Sequence, residues 1–309
     1  MDYLVNRINP DSSLKELTSF PSYFEIETVN ACNARCPMCT IDDWDRRDGL
    51  MSEPLFAKIV SEIAYHKDTV KRVQLFRDGE PLLDKKLAVR TAMMKAAGVR
   101  KVGISTNASL LTRAKSEALL KAGMDEVILS IDSLYPDTYE AIRKGLRFEP
   151  VLDNILGFIE TRDRLGSSCQ AWVRMIRQES NRYEWPSFEA FWKKRLRDTD
   201  RVDYRNLHNW GSQLMHFKPV APADTEKPCV ALWSLMVIFA DGSVPRCNVD
   251  YNNKHPVGNL MDSTIKELWQ SEIQNRTRDA HLKNRRDGIC VGCTVWSENA
   301  NTCAERMAA

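Results

Sequence analysis

The chain has 309 residues, 43% hydrophobic and 28% charged, a mix that suits one large globular domain or one domain with a smaller extension. Its 44 basic and 42 acidic side chains leave a formal charge of +2, which argues against nucleic acid or an anionic membrane as the main partner. No apolar run has the length of a signal-peptide core or a bilayer span, so the expected location is cytoplasmic, and nine cysteines there point to metal or catalysis before disulfides.

Residues 23–29 alternate as a half-buried strand and run into a loop holding Cys32, Cys36 and Cys39 in the spacing C-x3-C-x2-C. Short apolar runs then alternate with helical patterns. Strands are predicted over Arg72–Phe76, Lys101–Ser105, Glu126–Ile131, Ala171–Ile176 and Val202–Leu207. The helices between them span Glu53–Ala64, Lys85–Ala97, Leu111–Ala122, Pro136–Lys144, Pro150–Arg164 and Trp185–Arg197, with Ser52 and Asp137 as expected caps. About six such alternations imply parallel strands joined by right-handed crossovers, either an α/β barrel or a doubly wound sheet. In a barrel the functional loops follow the C-terminal ends of strands, where the cysteine loop lies. Further on, Pro219, Pro222 and Pro228 interrupt regular structure, and Asp241-Gly242 reads as a hairpin turn between two apolar runs. An amphipathic stretch from Ser263 to about His281 precedes a cysteine-rich tail. The expected organisation is a barrel unit over 1–215 and a second unit over 216–309.

Three thiolates on one short loop can hold three irons of a cubane cluster and leave the fourth open, whereas structural zinc takes four ligands. Phe76-Arg77-Asp78-Gly79-Glu80-Pro81 follows the second strand and Ser105-Thr106-Asn107 the third. Ser130-Ile131-Asp132-Ser133 follows the fourth, with Tyr139 and Arg143 downstream. Any one of these is an ordinary polar strand end. In this order, behind C-x3-C-x2-C, they resemble the radical S-adenosylmethionine (radical SAM) superfamily. The resemblance implies a partial (β/α)6 TIM-like barrel and an open iron that chelates the amino and carboxylate groups of SAM. It also implies cleavage of SAM to a 5′-deoxyadenosyl radical that removes a hydrogen atom from substrate. By the same resemblance Gly79, Glu80 and Pro81 form the turn that holds the SAM ammonium group, with the carboxylate accepting charge-assisted hydrogen bonds. Ser105, Asn107, Ser130, Asp132 and Arg143 complete the expected SAM contacts, and Met38 lies near the adenine. Asp78 stands where the family most often has glycine.

Cys229, Cys247, Cys290 and Cys293 form a second constellation, with enough sulfur for a closed zinc or iron–sulfur site. Around them Asp241-Gly242, Val257-Gly258-Asn259-Leu260 and Ile265-x2-Leu268-Trp269 resemble the SPASM/twitch extension of radical SAM enzymes. That resemblance implies a second 4Fe–4S cluster, so two in all, in the shorter single-cluster arrangement. Cys169 and Cys303 are either inert thiols or candidate hydrogen-atom donors, and Cys303 is also a candidate extra ligand. Tyr204 and His208 are candidates for substrate contact, and Arg174 for SAM or substrate. None of the five histidines has ligand spacing.

The expected activity is oxidation of a small polar substrate, a carbohydrate or aminocyclitol, with the auxiliary cluster accepting an electron. The alternatives are epimerisation of a carbohydrate or peptide through a cysteine donor, or a non-catalytic zinc- or cluster-binding interaction protein. Fewer than about 25 residues precede the first strand, which leaves no room for a leader-peptide domain. A flavodoxin- or ferredoxin-type reductant is implied by the family.

Overall fold

Most of the apolar runs become strands buried on both faces. The computed structural model describes residues 14–46, 49–211, 213–214 and 228–293. Its main sheet contains β1 (Tyr23–Ile26), β2 (Arg72–Gln74), β3 (Val102–Thr106), β4 (Glu126–Ser130), β5 (Gln170–Arg177), β6 (Arg201–Asn206) and β7 (Leu235–Ile238). All pairings are parallel, in the order β6-β5-β4-β3-β2-β1-β7. In β4 the first four residues are all buried, the continuous run that a doubly covered parallel strand requires.

Crossovers from β1 to β6 pass through α1 (Glu53–Tyr65), α2 (Leu87–Ala96), α3 (Arg113–Lys121), α4 (Pro136–Ile142) with α5 (Phe148–Arg164), and α6 (Trp185–Lys193). This is the partial TIM-like barrel, and its predicted strands and helices match within a few residues. The Ser52 side chain accepts the Leu55 N–H to start α1, with Pro54 in the first turn. Asp137 is not a cap: it lies in the first turn of α4, where a carboxylate favours the positive helix end. The amphipathic stretch after Ser263 divides into α7 (Ile265–Trp269), opened by a Thr264–Glu267 capping box, and α8 (Glu272–Leu282), capped by Ser271.

Asp241-Gly242 does turn the chain, but not between two paired arms of one hairpin. Gly242 has φ +87, and the Phe239 N–H donates to the Ser243 carbonyl at 2.9 Å. The strand before the turn, β7, lies parallel to β1 in the register Tyr23↔Leu235 to Ile26↔Ile238. The strand after it, β8 (Ser243–Pro245), pairs antiparallel with β9 (Pro256–Asn259). The C-terminal segment therefore completes the barrel sheet, while the expected boundary near residue 216 falls outside the described residues. Among the described residues no helix is long and apolar enough to cross a membrane.

Candidate active site

A two-residue pairing of Val29–Asn30 with Gly49–Leu50 closes the base of the cysteine loop after β1. The Cys39 N–H donates to the Cys36 carbonyl at 2.9 Å, and the Arg35 N–H donates to the Lys144 carbonyl at 2.9 Å. Burial raises the pKa of all three thiols, that of Cys39 to about 12. Thiols so placed ionise when they coordinate a cation. Three sulfurs from one loop fit three corners of a 4Fe–4S cube, in which each thiolate has its own iron. A single zinc needs every sulfur within about 2.3 Å of one point. Among the described residues no group of three or more His, Cys, Asp or Glu is arranged to hold a single ion.

The turn after β2 packs directly against this loop. A Cβ on Gly79 would lie 2.4 Å from the Ala31 carbonyl and 2.8 Å from the Val29 carbonyl, so only glycine fits. Glu80 is buried, and its Oε1 accepts the Thr106 hydroxyl at 2.6 Å and the Leu82 N–H at 3.0 Å. Its Oε2 accepts the Asn107 N–H at 2.8 Å, and burial raises its pKa. The carboxylate thus ties the β2 turn to the end of β3 and keeps lone pairs for an ammonium. Pro81 starts a short 3-10 turn and does not line the cavity. Met38, Ser105, Asn107, Ser130 and Arg143 do line it. Asp132 stands behind them, accepting Arg143 Nε at 2.5 Å and the Ile176 N–H at 2.6 Å.

A buried charge cluster beneath the turn went unread in the sequence. Arg46 forks onto Glu27 with two 2.9 Å bonds and donates Nε to the Tyr251 carbonyl at 2.8 Å. It also lies 3.5 Å over the Phe239 ring and 3.8 Å from Asp78. Arg77 pairs with Asp78 at 2.5 Å and approaches Glu25 at 3.7 Å. Three carboxylates thus face two guanidinia. Burial pushes the Asp78 carboxyl up to about 7, with Arg77 opposing and Glu27 adding to the rise. Glu27 and Arg46 are 19 residues apart, and no local pattern marks their pairing.

One cavity of about 440 Å³ is lined by Cys32, Cys36 and Cys39 and also by Cys229, Cys247, Cys290 and Cys293. Burial raises the Cys247 and Cys290 thiols, the latter to about 11, and each is raised further by neighbouring cysteines of this set. Four sulfurs converging from separate segments fit a closed cluster site. None of the eight described cysteines forms a disulfide.

The end of β6, with Arg205 and Asn206, and the segment after it, with His208 and Trp210, enter the same cavity. Trp210 has φ +50, unusual for a bulky residue, and its N–H donates to His208 Nδ1 at 3.2 Å. Burial, reinforced by Arg77, pushes the His208 pKa down to about 4. Asn209 Nδ2 donates to the Gly292 carbonyl at 3.3 Å, which ties this segment to the Cys290–Cys293 loop. His281, also at the cavity, accepts the Cys229 N–H on Nδ1 at 3.3 Å.

Other candidates fall elsewhere. Cys169 precedes β5 at its N-terminal end, opposite the cavity, buried and with its N–H on the Ser167 hydroxyl at 3.2 Å. A hydrogen donor there does not face a substrate held at the strand C-termini. Tyr204 packs edge-on against Trp185 at 4.8 Å with Arg177 4.0 Å over its ring, and it does not line the cavity. Arg174 lines the cavity while paired with Asp203 at 3.0 Å. Cys303 lies outside the described residues.

Residues 26–161 match the radical SAM superfamily model, and residues 229–294 match SPASM, an iron–sulfur cluster-binding domain. The chain is 33% identical over 138 residues to GTP 3′,8-cyclase of Chlorobaculum tepidum, covering 43% of this chain and 41% of that protein. It therefore spans about two fifths of the length of the first curated relatives it matches. A longer alignment, 29% identical over 293 residues, joins it to GTP 3′,8-cyclase of Limosilactobacillus fermentum, covering 90% of this chain and 81% of that one. The fold is similar to that of BtrN in complex with AdoMet and 2-DOIA, with a TM-score of 0.58 at 20% identity over 84% of this chain and 86% of that one. With both domains in order and the cysteine loop at the C-terminal end of the barrel sheet, the chain belongs to the radical SAM superfamily with a SPASM domain, and its cofactors are SAM and 4Fe–4S clusters.

Proposed function

We propose that this enzyme oxidises a small polar substrate, a carbohydrate or aminocyclitol, by converting a secondary alcohol to a carbonyl. The observation that carries this is the shared cavity, which presents both cysteine sets and the polar end of β6 to one volume. When bound, SAM and its cluster supply hydrogen-atom abstraction, and the auxiliary cluster supplies an acceptor for one electron. Oxidation of CH–OH then sends that hydrogen atom to 5′-deoxyadenosine, one electron to the auxiliary cluster and the hydroxyl proton to water. His208 bears on the oxygen. Its Nδ1 already accepts the Trp210 N–H, so the neutral ring carries its proton on Nε2. In that tautomer His208 donates to a substrate oxygen and orients it, without taking its proton. A thiol donor for epimerisation has less support, because Cys169 lies away from the cavity.

A second reading is chemistry on a nucleotide. It is favoured by the Limosilactobacillus fermentum relative and by Arg77, Arg174 and Arg205 at the cavity, since guanidinium forks suit phosphate. Anaerobic reconstitution with SAM and dithionite, offered ring-deuterated glucose, glucosamine, myo-inositol or ribose-deuterated GTP, separates the two. Deuterium in 5′-deoxyadenosine from a sugar or cyclitol, with a carbonyl product trapped by hydrazine, is the expected result. Transfer from GTP alone would replace this proposal with the nucleotide reading.

A further inference from the structure

We propose that Arg143 is a positioning residue that sets the reduction potential of the cluster on Cys32, Cys36 and Cys39 through a charge-assisted N–H···S contact to Cys36. Arg143 Nη1 lies 3.9 Å from Cys36 Sγ, while Nε is held by Asp132 at 2.5 Å. The rigid guanidinium plane makes these two contacts interdependent: fixing Nε fixes the direction in which Nη1 points.

Asp132 is itself held firmly. It is fully buried, its Oδ1 accepts the Ile176 N–H at 2.6 Å, and its carbonyl accepts Asn181 Nδ2 at 2.8 Å. From the other side, the Arg143 N–H donates to the Tyr139 carbonyl at 2.7 Å, and the next carbonyl, of Lys144, accepts the Arg35 N–H of the cysteine loop at 2.9 Å. The end of β5, the loop after β4, the end of α4 and the cysteine loop thus form one brace. The ion pair directs its positive end at the sulfur and its negative end away from it.

Hydrogen bonds to cluster sulfurs and nearby positive charge stabilise the reduced, more negative cluster and raise its potential. Asn107 Nδ2 approaches Cys32 Sγ at 3.9 Å as well, but as a neutral donor it acts more weakly. The inference concerns the cluster and stands or falls apart from the substrate proposed above.

The test is an EPR-monitored redox titration of the reconstituted full chain and of Arg143→Gln, Arg143→Lys and Asp132→Asn, without SAM, with iron and sulfide measured on each. Arg143→Gln is expected to shift the midpoint to more negative potential. Arg143→Lys keeps the charge and loses the fork, so it shifts the midpoint in the same direction by less, whereas Asp132→Asn removes a negative charge that acts on Cys36 and shifts it to more positive potential. An unchanged midpoint in all variants that hold the cluster overturns the proposal. If Arg143→Gln does not load, Arg143→Lys decides by the same criterion.

Discussion

At Gly79 the turn after β2 packs directly against the cysteine loop, and the missing side chain is what permits it. Gly79→Ala forces a methyl against two carbonyls, so the turn must retreat from the loop. The expected result is a loss of roughly 1–3 kcal/mol in urea unfolding together with reduced iron loading; unchanged loading would show that the close approach is dispensable. His208 was visible in the sequence as a polar residue after a strand, but its tautomer was not, because that depends on the left-handed turn at Trp210. In the folded state its pKa is about 4, below the ordinary 6.5. Between those values the unfolded chain binds more protons, so this group's contribution to stability grows as pH rises from about 4 to 6.5 and is fully present above. After burial, the charge that acts on it is that of Arg77. His208→Gln should remove this part of the pH dependence of the urea midpoint while keeping a donor. His208→Ala should lower kcat/KM about tenfold or more, and equal activity of the two variants would deny His208 the donor role.

At the scale of elements, Arg46 joins the end of β1, the Asp78 turn and the Tyr251 carbonyl of the C-terminal segment. Glu27, in turn, accepts the Ala240 N–H at 3.1 Å just past β7. Arg46→Ala leaves Glu27 and Asp78 buried without their shared cation. The predicted loss is about 3–5 kcal/mol in chemical denaturation; a loss below about 1 kcal/mol would mean that Arg77 takes over both carboxylates. The strands and helices from β1 to β6 were readable because their periodicity and caps are local. The place of β7 was not, since its partner β1 lies more than 200 residues earlier and pairing leaves no local mark. One signal was available: Leu235–Ala240 is apolar at every position and entirely buried, as a parallel strand covered on both faces is and a half-exposed hairpin arm is not.

For the whole molecule, β7 carries the cysteine-rich segment back to the mouth of the barrel, so that both cysteine sets line one cavity. The sequence showed each set through its spacing. It did not show that they share a volume, which depends on the sheet order and on the Asn209–Gly292 tie. The charge cluster of Glu25, Glu27, Arg46, Arg77 and Asp78 was equally hidden, since its members are assembled only by the fold. The most direct measurement is iron and acid-labile sulfide per chain after anaerobic reconstitution, on the natural protein and on Cys247→Ala/Cys290→Ala. The natural protein should hold about eight of each and the variant about four, with SAM cleavage retained in the variant. Four in both would contradict an electron acceptor at the cavity.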